Sequence, residues 1–244
     1  MANEPSAAEN HVENRKISCE DARMSPRKTP THELVYRQIR QMILFGELAP
    51  GQAVTIQGLV TELGSGITPV REALRRLTAS GALDFKGNRR ICVPELTTEQ
   101  LDELVFARLA IEPELARQAT VRMADSDIDR LSETDAMLNH AIAQGDVRGY
   151  LEQNFKFHDQ LYAQSDAQIL MAISRALWLR VGPSLRVVCG QFGTFNLPDK
   201  HKEALAAMRA RDADGVAQAI REDIQQGYGQ IKASLTGAVQ DQNY

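Results

Sequence analysis

Thr68-Pro69-Val70-Arg71-Glu72-Ala73-Leu74-Arg75-Arg76-Leu77 reads as a short amphipathic helix with arginines outside its apolar stripe. Thr68 suits an N-cap, and Pro69 suits the first helical position, where a missing N–H costs nothing. Val70, Ala73, Leu74 and Leu77 recur at helical spacing and make one apolar face. Arg71 and Arg75 lie four apart on another face, and Arg76 also avoids the apolar stripe. Taken alone, such charges describe either a solvated helix or one that lies in a DNA major groove, where arginine meets phosphates and guanine edges.

The flanking sequence decides between these readings. Upstream, apolar residues at Leu34, Val35, Ile39, Met42, Ile43 and Phe45 predict a first helix, ended by the turn 46–51. A second, short helix is expected over about 55–63, with Ile56, Leu59, Val60 and Leu63 inward. Gly64-Ser65-Gly66 then turns into the arginine-bearing helix, giving a helix-turn-helix. Downstream, Leu83-Asp84-Phe85 and Arg90-Ile91-Cys92-Val93 alternate around Gly87-Asn88 as a hairpin. Its basic tip of Lys86, Arg89 and Arg90 makes it a wing able to reach phosphates or a minor groove.

The run from about Leu34 to Leu96, above all Thr68–Leu77, resembles the DNA-binding domain of the GntR family of bacterial transcription regulators. The resemblance implies DNA contacts at Thr68, Arg71, Arg75, Asn88 and Arg89, to which the basic pattern adds Arg76 and Arg90. The family usually carries Ser-Arg just before Thr-Pro. This chain has Gly66 and Ile67 there, so one expected arginine contact is missing.

At 244 residues and 43% hydrophobic content the chain can bury a sizeable core. Its net charge of -4 hides a division. Residues 31–96 hold eight Lys/Arg against six Asp/Glu, a net of +2, whereas 97–244 hold fifteen against twenty-one, a net of -6. A mildly basic module joined to a larger acidic one suits a DNA reader with a separate sensor. Residues 1–30, polar and aperiodic, are expected to be a disordered extension, and 236–244 a flexible tail. Neither a signal peptide nor a transmembrane run is apparent. Cys19, Cys92 and Cys189 lack disulfide or metal-knuckle spacing, as suits a cytoplasmic protein.

Beyond Leu96 the sequence predicts six helices: 97–123 with a kink at Pro113, about 125–144, about 146–164, 167–190 interrupted at Gly182-Pro183, about 199–211 capped by Asp199, and about 214–234 capped by Asp214. The fold class is therefore mostly α: a winged helix-turn-helix (31–96) followed by an all-α bundle (97–235). This bundle resembles the FCD type of C-terminal domain, which has six or seven helices and in many members a metal site of one aspartate and three histidines. Asn154-Phe155-Lys156-Phe157-His158 resembles its Asp-x-x-Phe-His signature with asparagine for aspartate. The resemblance places the other two ligands at His201 and Asp223, the latter in place of histidine. The implied metal set is thus Asn154, His158, His201 and Asp223. Two imidazoles favour a transition metal, with zinc, nickel, manganese and magnesium all open. His32 and His140 fit no constellation and are expected to be surface or packing residues.

Arg108 and Glu112 match the family's Arg-x-x-x-Glu pattern, and the resemblance implies that Arg108 binds an effector carboxylate in the bundle. Arg175 and Arg180 are further candidates for an anionic effector. Together these readings describe a metabolite-responsive repressor: a homodimer on a palindromic operator, controlled by a small organic acid and a divalent metal, with no membrane role. The alternatives are a ligand-free regulator with a purely dimerising bundle, and a helical metal-dependent hydrolase.

Overall fold

The computed structural model describes residues 31–87, 90–192 and 200–237. The proposed N-terminal extension, the C-terminal tail beyond 237, Asn88, Arg89 and the expected cap Asp199 lie outside them.

The DNA-reading part comprises α1 (Thr31–Leu44), β1 (Ala53–Val54), α2 (Ile56–Leu63), α3 (Ile67–Ala79), β2 (Asp84–Lys86) and β3 (Arg90–Cys92). Val35, Ile39 and Ile43 of α1 and Val70, Leu74 and Leu77 of α3 are all buried in one core. Helix α2 is capped by Thr55, whose hydroxyl accepts from the Gly58 amide, and it stops at Gly64 in the left-handed conformation. The N-terminus of α3 corrects the sequence expectation: Gly66, not Thr68, is the N-cap, so Thr68 and Pro69 sit within the first turn. Pro69 is tolerated there because first-turn amides have no partner inside a helix. The sheet has the order β1-β3-β2 and is antiparallel, with Asp84 opposite Cys92 and Lys86 opposite Arg90. Strand β1 is too short to leave a periodic signal in sequence.

The bundle comprises α4 (Thr98–Arg122), α5 (Asp125–Gln144), α6 (Val147–Ala163), α7 (Gln168–Phe192), α8 (His201–Arg209) and α9 (Ala213–Thr236). Thr97 and Gln100 close a capping box on α4. The last helix begins at Asp212, whose carboxylate accepts from the Gly215 amide, rather than at Asp214. The expected interruption of α7 does not occur, for the helix runs through Gly182 and Pro183. Packing explains this: Gly182 lies so close to the Leu44 carbonyl at the end of α1 that a Cβ would overlap it. The absent Pro183 amide costs one hydrogen bond, while the contact between the helices keeps the chain helical. Arg186 lies against Gly46 and Arg148 pairs with Glu47, so the bundle grips the turn that follows α1. No helix among the described residues is long and apolar enough to cross a membrane.

Candidate functional site

Two faces carry chemistry. The first is the outer side of α3. Arg71 is exposed and has no ion-pair partner among the described residues, whereas Arg75 is exposed but held in a bidentate pair with Glu72, at 2.7 and 3.0 Å. Arg90 is exposed on the wing, with Lys86 opposite it in register. Arg76 turns away from this face. Its guanidinium lies 3.7 Å over the Tyr36 ring and donates to Glu33 at 3.0 Å, so it braces α3 against α1. That placement corrects the expectation of a DNA contact: at helical spacing, residue 76 falls between the buried stripe and the outer face.

The second lies inside the bundle. His158 on α6, His201 at the start of α8 and Asp223 on α9 bring one ligand atom each within 4.8 Å of one another. His158 and His201 are both fully buried. Their Nε2 atoms stand 3.3 Å apart, and Asp223 Oδ2 stands 3.3 Å from His158 Nε2. Two imidazoles bound at 2.0–2.1 Å to one tetrahedral ion would place their nitrogens about 3.3 Å apart. Outer groups bear on both rings. Tyr162 donates its hydroxyl hydrogen to Glu112 Oε2 at 2.9 Å, so its oxygen is left to accept from His158 Nδ1 at 3.0 Å. His201 Nδ1 faces Asp135 Oδ1 at 3.3 Å. Both Nε2 atoms converge with a carboxylate on one point, and once deprotonated they form an arrangement that a cation satisfies. The Lys200 amide holds the other oxygen of Asp223 at 3.3 Å.

Protonation suits the same purpose. Burial lowers the His158 pKa below the ordinary histidine value, against the pull of Asp223. Burial opposes the charged form of Asp223, yet the hydrogen bond and charge of His158, with the charge of His201, hold its carboxyl at about 2. The hydrogen bond between His158 Nε2 and Asp223 Oδ2 needs a proton between them, and a bound cation would take that proton's place. Asn154 sits one turn before His158 and lines the adjoining cavity with Asp223, Arg108 and Trp178. The donor set therefore fits a divalent ion. Asp135 and Tyr162, which buttress it, had no motif to mark them in the sequence.

Arg108 is buried and paired bidentately with Glu112 at 2.8 and 3.0 Å, and it lies 4.5 Å over the Trp178 ring. Burial disfavours its charge, but Glu112 outweighs that and raises its pKa. The cavity beside it measures about 40 Å³, room for two or three waters. Arg175 and Arg180 are not in it. Arg175 pairs with Asp159 at 2.6 Å on the outside, and Arg180 packs against Gly81, at the turn after α3. The helical period of α7 explains this correction, because Trp178, Val181, Leu185 and Val188 occupy its cavity side. His32 and His140 are exposed, the first of the two roles open to them.

A scan against family models matches residues 31–93 to "Bacterial regulatory proteins, gntR family" and 103–226 to the FCD domain. The chain belongs to the GntR family, in its FCD branch. This GntR regulator is 30% identical over 195 residues to the HTH-type transcriptional regulator McbR of Escherichia coli K12, spanning 79% of this chain and 88% of that one. It is 25% identical over 201 residues to the HTH-type transcriptional repressor RspR of the same strain, spanning 81% and 87%. Among solved structures, E. coli McbR/YncC superposes with a TM-score of 0.80 at 28% identity, covering 85% of this chain and 99% of that one. These relatives are transcription regulators and not enzymes, which removes the hydrolase alternative.

Proposed function

We propose that this GntR regulator is a repressor that binds a palindromic operator as a homodimer, and that a small organic acid beside a divalent metal in the bundle sets its grip on DNA. The convergence of His158 Nε2, His201 Nε2 and Asp223 Oδ2 inside 4.8 Å carries the reading. A bound ion would supply positive charge and open coordination positions for the oxygens of an acid. The protein supplies the rest. His158, His201 and Asp223 hold the ion, with the Asn154 amide oxygen as a fourth donor, while Tyr162 and Asp135 orient the rings. Arg108 waits at the cavity wall, tied to Glu112.

The cavity between α4, α6, α7 and α9 is small for an acid of several carbons, so binding of such an acid widens it by moving the lining helices. Helix α7 also carries the end of α1 at Gly182. An acid that fits only the opened bundle therefore shifts the winged helix, because it binds one of two states better. Dimerisation follows from the short reach of one recognition helix, and it agrees with Phe106 of α4 being 77% exposed.

The test is thermal unfolding of metal-stripped protein against divalent ions, each with and without small carboxylates. A ligand at 100 times its Kd raises stability by about 2.7 kcal/mol. A metal-dependent rise, enlarged by one class of acid and absent from His158→Ala and His201→Ala, is expected. No rise with any ion would refute the metal site.

A further inference from the structure

Ile67 is the first residue of α3 and is 50% exposed. The residues of the helix's inner stripe are by contrast buried: Val70, Ala73, Leu74 and Leu77 are at most 1% exposed. Neither the core nor helix propensity calls for a β-branched residue in water at this point. The preceding residue is equally unexplained by folding. Gly66 has φ -76° and ψ 161°, a conformation open to any residue, and a Cβ there would meet only the Pro69 ring at an ordinary 3.6 Å.

What positions 66 and 67 share is their place. Ile67, Arg71 and Arg75 are spaced four apart and are all exposed, so they form one outer stripe along α3. In a helix-turn-helix, the N-terminal residues of the second helix approach base edges in the major groove. Ile67 leads that stripe, and a bare glycine before it allows the first turn to come close to the groove floor.

We propose that Ile67 reads a thymine in each operator half-site through the C5 methyl group. This rests on the reading that α3 enters the major groove. Isoleucine has no donor or acceptor on its side chain, so it cannot satisfy guanine N7 and O6, and pressing it against them strips their water without replacement. Thymine alone among the bases offers a methyl group in that groove. Ile67 therefore adds an apolar specificity contact beside the charged contacts of Arg71 and Arg75.

The experiment begins with selection of binding sites from a random duplex pool by the full-length protein. Each thymine of the selected half-site is then replaced, one at a time, by deoxyuridine, which lacks only the methyl group. Burying one methyl is worth about a fourfold change in affinity. The expected result is a single thymine position whose replacement weakens the wild type by about that factor and leaves Ile67→Ala indifferent. If every deoxyuridine duplex binds the wild type equally, or if Ile67→Ala shows the same loss, the proposal is overturned. Arg71→Ala separates this from the underlying reading. Selected sites that weaken with Arg71→Ala but show no methyl dependence at Ile67 remove only the thymine contact. Failure to select any site removes both.

Discussion

At the scale of single residues, the bundle's chemistry depends on side chains that point at one another from different helices. Tyr162 is the link between Arg108–Glu112 and His158. Tyr162→Phe keeps the ring and removes both hydrogen bonds. Losing such an outer partner commonly costs ten- to a hundredfold in metal affinity, so a drop of about that size is expected in a competitive chelator titration. Unchanged affinity would show that His158 is oriented by other means. The fold should survive, with a loss of about 1–3 kcal/mol from the unsatisfied buried groups. Asn154, His158, His201 and Asp223 are named only through the resemblance to the FCD pattern, and the structure brings His158, His201 and Asp223 together. Tyr162 and Asp135 had no such pattern to mark them. Each lies on a helix as an ordinary buried or half-polar position, and its role exists only once α4, α5, α6 and α8 are packed together.

At the scale of elements, α7 is the part that serves both halves of the molecule. Its cavity side carries Trp178 and Val181, and its opposite side meets the winged helix through Arg180, Gly182 and Arg186. Two glycine substitutions separate packing from propensity. Gly182→Ala places a methyl group on the Leu44 carbonyl, and such overpacking costs about 1–3 kcal/mol. Gly190→Ala on the same helix meets nothing within 4 Å. It should be neutral or gain up to about 1 kcal/mol from reduced backbone entropy. Thermal unfolding of the pair checks this, and equal shifts in the two variants would contradict the close approach. Local rules read α2, α5 and the wing well, since caps and alternation mark them. They failed at Gly182-Pro183, where a breaker pair is overridden by a contact with a helix far away in sequence. They also failed at Arg76, Arg175 and Arg180, because a charge pattern cannot show which neighbour a side chain will meet.

At the scale of the whole molecule, the division into a basic reader and an acidic helical bundle was visible in charge and periodicity, and the family match agrees with it. The join between the two was not visible. Phe45, at the end of α1, meets Phe155 edge-on at 6.3 Å, and Phe155 meets Trp178 at 5.5 Å. Trp178 in turn lies 5.1 Å from His158. A change at the His158–His201–Asp223 group thus abuts a packed series of aromatic rings that ends on the DNA-reading part. If the bundle has two arrangements, ligands and DNA must bias them reciprocally. The direct measurement is operator affinity by fluorescence anisotropy, for metal-stripped and metal-loaded protein, each with and without the acid that enlarges the thermal shift. Wild-type affinity should change by at least about fivefold on loading, and His201→Ala should not respond. Equal affinity in all four states, with metal shown to be bound, would contradict control of DNA binding from the bundle.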